Sequence, residues 1–331
     1  MGKGCFLKAS LLVMAAILLS SCAGINIRIG SRSEERLKEY TLEGRGREKV
    51  LVIPVRGFLS DASERSLLAN RPSIVEEIVA QLRKGQEDRN VKAVLLEINS
   101  PGGSTTASDI LYHEIQRFKE RTGAKVVAAF MDVAASGGYY VALPADLIVA
   151  HPTAVTGSVG VIMITPKVAG LMDKLGVGME VNKSGKEKDI GSPFRASTPE
   201  EQRILQELID GLGSRFLSLV AKHRNLDSAA LAGASSARIY GSEEALHLKL
   251  VDRIGYLSDA LMDAKRLAGL GDDAKVVAYR RTKYPDDNIY NQSSAWDQGA
   301  GLSLVDLHIR EIVPVLSPGF YYLWMPGMTG K

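Results

Sequence analysis

Between residues 50 and 223 the chain alternates short β-branched runs with segments of helical period, and this alternation constrains the fold more than any other feature. "VLVIPVRG" (50–57), "VKAVLLEI" (91–98), "AKVVAAFM" (124–131), "DLIVA" (146–150), "VGVIMI" (159–164) and "GMEVN" (178–182) read as strands. Between them, Ser73 with Glu76 makes a capping box for a helix carrying Ile74, Ile78, Val79 and Leu82. "LYHEIQRF" (111–118) and "KVAGLMDKLG" (167–176) read as further helices, and Thr198-Pro-Glu-Glu opens one reaching about His223. Strands alternating with helices predict an α/β fold with a largely parallel sheet covered by helices.

The two ends differ from this middle. Lys3 and Lys8 precede "ASLLVMAAILLSSCAG", an uncharged run ending in small residues, which reads as a secretory signal. Ala9 to Ala23 spans 15 residues, short of the roughly 18 to 20 that cross a bilayer as a helix. Leu19-Ser20-Ser21-Cys22 resembles the bacterial lipoprotein signal, in which the cysteine is acylated. The expected organisation is therefore a signal over 1–21, a charge-mixed tether over 22–48 and a folded domain over 49–282. From 283 to 331 follow a polar linker and an amphipathic, aromatic tail, with "PGFYYLWMPG" suited to a membrane interface, a partner subunit or its own domain. Cleavage before Cys22 takes the formal net charge from +3 to +1, so nucleic acid is not an implied partner. Cys22 would then be the one remaining cysteine, which excludes a disulfide and a thiolate metal site within one chain.

In open α/β sheets, ligands bind at the carboxyl ends of strands. Two turns there stand out. "INSPGGS" (98–104) joins strand to helix through Pro101, Gly102 and Gly103, and its backbone N–H groups at a helix start suit an oxyanion; a plain tight turn is the alternative. "MDVAASGGYYVA" (131–142) sets Ser136 among alanines and glycines, where another backbone or a ligand can come close, and Gly137 N–H offers a second donor. A serine needs a base. Of the five histidines only His151 sits at a strand end near Ser136, and no acid nearby would orient it; Gly-x-Ser-x-Gly is also missing around Ser136. The other base is a lysine from "VNKSGKEKDIGSP" (181–193), with Lys183, Lys186 or Lys188. Such an amine must be neutral, its pKa lowered from ~10.4 toward ~7, which costs about 4 to 5 kcal/mol of burial and nearby positive charge. Ser158 in "TGSVGV" could orient its protons without adding charge.

"EINSPGG", "AASGGYYVALPADLIVAHPTAVTGSVGV" and "KEKDIGSP", in this order, resemble the motifs of the signal peptide peptidase SppA family, the S49 serine peptidases, over residues 49 to about 270. The resemblance implies a ClpP/crotonase-like spiral of βαβ units in a single-copy form, Ser136 as nucleophile and Lys188 as general base. It places the lysine-supporting serine on Ser158 and the oxyanion donors on Gly103 and Gly137, with Gly102 the alternative to Gly103. It further implies a membrane-associated endopeptidase for cleaved signal peptides or other apolar peptides, on the extracytoplasmic side of a bacterial envelope, assembled as a homo-oligomer and using no metal or cofactor. Two features depart from the family pattern: some members carry tandem copies and complete each site with the other half's lysine, and the usual anchor is a transmembrane helix, not a lipidated Cys22. A crotonase-like acyl-CoA enzyme and a non-cutting peptide scaffold are the rival readings of the same turns.

Overall fold

A computed structural model describes residues 36–65, 70–226, 231, 235–284, 287–290 and 318–326. The predicted signal and Cys22 lie outside the described residues. No helix among the described residues is long and apolar enough to cross a membrane.

The chain opens with β1 (Lys38–Glu43), β2 (Lys49–Arg56) and a short antiparallel pair, β3 (Glu64–Arg65) with β4 (Asn70–Arg71). Then come α1 (Ile74–Glu87), β5 (Val91–Ser100), β6 (Gly102–Ser104), α2 (Thr105–Thr122), β7 (Lys125–Ala135) and α3 (Gly137–Ala142). β8 (Leu147–Ala150), β9 (Val155–Gly157), β10 (Ile162–Ile164), α4 (Ala169–Leu175) and α5 (Pro199–Arg224) follow. The remainder comprises β11 (Ile239–Gly241), α6 (Ser242–His247), β12 (Arg253–Ile254), α7 (Leu257–Leu267), β13 (Lys275–Arg280) and β14 (Gly319–Leu323).

The main sheet runs β1-β13-β2-β5-β7-β8-β12. Along this path every pairing from β13 to β12 is parallel and β1 joins the edge antiparallel; off the path β9 pairs parallel with β7, and β11 pairs antiparallel with β9. Alternate residues of β2 and β5 face opposite layers. Leu51, Ile53, Val94 and Leu96 pack toward α1 and α2, whereas Val50, Val52, Ala93 and Leu95 pack against Leu257 and Leu261 of α7. Burial on both faces explains why these strands read as unbroken apolar runs. Both predicted capping boxes form: Ser73 Oγ accepts from Glu76 N at 3.1 Å, and Thr198 Oγ1 from Glu201 N at 3.2 Å.

Two segments depart from the expectation, and the tail takes one of the places open to it. Residues 38–43, assigned to the tether, form β1 because their extended run finds the free edge of β13. "GMEVN" forms no strand, and residues 178–182 are exposed, since no sheet edge among the described residues pairs with them. The tail joins the domain at β14, which sits in a second sheet of order β10-β14-β6.

The fold positions the site by dividing β7. Its first part, Val127–Phe130, pairs with β8, and its last part, Val133–Ala135, pairs with β9. Where β8 gives way to β9 the sheet opens, and the next residue is Ser136.

Candidate active site

Ser136 ends β7 and caps α3 with φ 52° and ψ −115°, left-handed backbone that only glycine adopts readily. Such a conformation costs on the order of 1–3 kcal/mol and persists where the surroundings impose it. Here they do: Ser136 N donates to Gly157 O at 2.8 Å and Tyr140 N to Ser136 O at 2.9 Å, which fixes the turn on both sides. The side chain is 1% exposed, yet its Oγ has no hydrogen-bond partner. A buried, unpartnered hydroxyl costs roughly 1–3 kcal/mol more. Strain and an unused polar group together at one residue make Ser136 a candidate for chemistry.

The small residues around Ser136 are explained by what touches them. A Cβ on Gly138 would lie 2.5 Å from Ser100 O, and one on Gly137 2.5 Å from Ser108 Oγ and 3.0 Å from Gly102 Cα. α3 is thus pressed onto the Pro101-Gly102-Gly103 turn. Gly102 has φ +100°, and a Cβ there would stand 2.7 Å from Gly137 N. Gly103 is held from behind, in β6, where Leu59 N donates to Gly102 O and Ser104 N to Leu59 O, each at 2.9 Å. Ser104 then caps α2 by accepting from Ala107 N at 3.1 Å. The two glycine turns that the sequence singles out are therefore brought together, with Ser136 between them.

Ser158 lies in the same neighbourhood. It follows β9, the strand against the end of β7, at φ 51°, and its N–H donates to Arg238 O at 2.8 Å. Lys188 does not join the site within one chain. It is exposed, in a turn where its N–H donates to Gly185 O at 3.1 Å, and it makes no hydrogen bond to Ser136. Its segment is set instead by ion pairs: Lys183 and Arg195 hold Asp189, and Arg195 also holds Glu201. These contacts pull Asp189 well below the usual carboxylate range, chiefly through Arg195, and Glu201 down to about 2, again through Arg195. His151, the rival base, is engaged elsewhere: its Nδ1 is 2.8 Å from Thr153 Oγ1 and its ring packs edge-on against Tyr256. Among the described residues no group of three His, Cys, Asp or Glu side chains is placed to hold a metal ion.

Behind the serine lies an aromatic wall that sequence reasoning missed. Tyr140 packs against Phe216 of α5 at 4.8 Å between ring centroids and against Tyr322 of β14 at 5.0 Å, nearly parallel. Tyr140 OH donates to Asp109 at 2.6 Å, which Arg215 also grips at 2.6 Å. Burial, then the Asp109 carboxylate, pushes the Tyr140 phenol far above its ordinary value. The signal was present as "GGYYVA" and "GFYYLW", but nothing in either string says that the two meet.

The profile of Peptidase family S49 matches residues 119–271, and that of Clp protease matches 67–160. A protein of Enterococcus faecium carrying the name signal peptide peptidase SppA is 36% identical over 84% of this chain and 80% of its own length. A serine protease SPPA of Arabidopsis thaliana chloroplasts is 31% identical over 70% of this chain and 34% of its own. Protease 4 of Haemophilus influenzae is 31% identical over 77% of this chain and 40% of its own. Among solved structures, a ClpP1 mutant of Listeria monocytogenes is 16% identical, covering 63% of this chain and 94% of its own with a TM-score of 0.41. The Clp protease match agrees with the mostly parallel, helix-covered sheet of a ClpP-like α/β fold, and relatives named as proteases set aside the acyl-CoA and scaffold readings. With the S49 profile and a relative matched over most of both chains, this chain belongs to peptidase family S49 and is a serine endopeptidase.

Proposed function

We propose that Ser136 is the nucleophile of a Ser-Lys dyad that hydrolyses apolar peptides, signal peptide remnants among them, at a membrane surface. The observation that carries this reading is the Ser136 hydroxyl itself: enclosed, without a hydrogen-bond partner, on strained backbone and facing a turn of two glycines. Ser136 Oγ attacks the scissile carbonyl while a neutral Lys188 amine takes its proton. The N–H groups of Gly103 and Gly137 hold the oxyanion, and the lysine returns the proton to the leaving amine. Ser158 orients the lysine.

Lys188 reaches this site from a neighbouring copy in a homo-oligomer. Support comes from the segment that bears it, which exposes Leu171, Leu175, Val177, Met179, Val181 and Phe194, an apolar surface of the kind that packs against another subunit. Such packing would also supply the desolvation that a neutral amine needs. Lipidation at Cys22 would hold the assembly on the outer face of a bacterial membrane, close to apolar substrates.

Labelling with a serine-directed fluorophosphonate, read beside cleavage of an apolar peptide, tests the reading. Wild type should label and cut, and Ser136→Ala should do neither. Equal labelling of the two proteins would remove Ser136 from the mechanism.

A further inference from the structure

β14 lies between two strands that do not pair with each other. On one side Tyr321, Tyr322 and Leu323 face Ser104, Gly103 and Gly102 of β6, antiparallel; on the other Gly319, Phe320 and Tyr321 face Ile164, Met163 and Ile162 of β10. Without β14, β6 and β10 would present two free edges across a slot, the geometry that accepts an extended peptide by strand addition. The slot ends at the catalytic turn. Tyr322 stands opposite Gly103, and its carbonyl oxygen lies so close that a Cβ would meet it at 1.9 Å on Gly102 and 3.0 Å on Gly137. Trp324 N continues the ladder, donating to Pro101 O at 2.9 Å.

The side chains follow the strand's period of two. Tyr321 and Leu323 face Phe58 and Ile164, while Tyr322 turns inward between Tyr140 and Phe216 and donates its hydroxyl to Leu212 O at 3.1 Å. Burial of the ring pushes its phenol up to about 12, so it remains a neutral donor at ordinary pH. A lining of stacked rings with a carbonyl acceptor at its end fits tyrosine in both shape and hydrogen bonding.

We infer that β14 is an intramolecular pseudosubstrate: it fills the peptide slot with the Tyr322 carbonyl beside Gly102 and Gly137 and the Tyr322 ring in a pocket of Tyr140 and Phe216. The site is closed until β14 leaves, and it prefers substrates with an aromatic residue just before the bond to be cut. This rests on the proposed role of Ser136, so the test has one arm that needs no catalysis. Met163→Cys with Phe320→Cys, positions that face each other in the β10–β14 register, can lock the strand by a disulfide in a full chain that also carries Cys5→Ser and Cys22→Ser.

With Ser136→Ala added, a fluorescent peptide Gly-Phe-Tyr-Tyr-Leu-Trp should bind the reduced protein and bind the oxidised one about tenfold more weakly or worse, because only the open fraction is competent. With Ser136 present, oxidation should slow cleavage of a tyrosine-containing peptide by at least about tenfold, dithiothreitol should restore it, and alanine for that tyrosine should lower kcat/KM by about tenfold or more. Tyr322→Asp, which cannot seat its charge among the rings, should raise kcat/KM and supplies the second variant should the cysteine pair disturb folding. Equal peptide binding by the locked and reduced forms, or equal cleavage, overturns the pseudosubstrate. A binding difference with no cleavage by either form leaves it standing and overturns the role of Ser136.

Discussion

The Ser136 turn and the Lys188 segment contrast in almost every physical respect. Around Ser136 the backbone is strained, buried and hydrogen-bonded on both sides, and the neighbouring glycines are too tightly enclosed to carry a side chain. Around Lys188 the chain is held by surface ion pairs, and large apolar residues such as Leu175, 67% exposed, look outward. The first region is finished within one chain. The second has the chemistry of a surface that meets something, which is why the proposed nucleophile and oxyanion donors lie together while the proposed base does not. A single chain thus carries half of the proposed dyad pre-formed, and assembly would supply the rest.

The largest effect should come from separating those halves. Ser136→Ala removes the nucleophile and should lower kcat by at least roughly a thousandfold. Lys188→Ala should lower it by about 10²–10⁴, the usual worth of a general base, and should also abolish the rise of activity with pH that a titrating amine gives. Mixed and reassembled, the two inactive variants should regain activity, since one contributes Ser136 and the other Lys188. Failure of the mixture to recover, in assemblies shown to contain both chains, would place the dyad within one chain and break the contrast. Should Lys188→Ala stay active while His151→Ala loses activity, the base would be His151 instead.

Next in size are the glycines that make the first region rigid. Gly102→Ala places a methyl group on backbone of φ +100°, 1.9 Å from a carbonyl oxygen and 2.7 Å from Gly137 N. It should cost about 10²–10³ in kcat, as loss of an oxyanion donor does. An equivalent change at Gly271, which has no positive φ, meets nothing within 4 Å and lies outside the Lys188 segment, should leave cleavage within about twofold, because surface substitutions away from special features shift stability by no more than about 0.5 kcal/mol. Comparing the kcat of these variants tells whether glycine near Ser136 serves close approach or merely chain flexibility.

The same contrast explains what could be read from the sequence. Strands β2, β5, β7 and β8 of the main sheet and the helices α1, α2 and α5 were legible because burial on two faces, capping boxes and helical spacing are local patterns, whereas β12 and β13 were not read as strands. Ser136, Gly137 and Gly103 were legible as a pair of glycine turns at strand ends. Their meeting across α3 depends on β5 and β7 being neighbours, which the alternation implied. What local pattern cannot carry is a pairing between distant segments. β1 on β13 and β14 on β6 join residues far apart in the chain, and strings such as "KEYTLE" and "GFYYL" state that they can be strands without saying whose edge they meet. "GMEVN" fails for the mirror-image reason, a strand pattern with no edge in reach.

Smaller effects should follow from disturbing the second region's apolar face. Leu175→Asp places a charge where the proposed subunit contact lies; it should lower the assembled fraction in sedimentation velocity and the activity with it, leaving the monomer folded because the side chain is already 67% exposed. An unchanged sedimentation profile in a protein that is otherwise oligomeric would move the contact elsewhere.

The mildest effect concerns the ion pairs that shape the Lys188 segment. Arg195 holds the Glu201 carboxyl down at about 2 against an ordinary 4.5, so the folded segment binds fewer protons than the released one in that interval. The contribution of this contact is therefore complete above about pH 4.5 and fades as pH falls toward about 2. The hydrogen-exchange protection factors of residues 183–197, that is, rates taken relative to the intrinsic rate at each pH, should fall over that range in wild type, well before those of β2 and β5. In Arg195→Gln the protection factors should already be low at neutral pH and change little on acidification. A segment whose protection in wild type ignores pH would show that the apolar contacts, and not Arg195, hold Lys188 where it is.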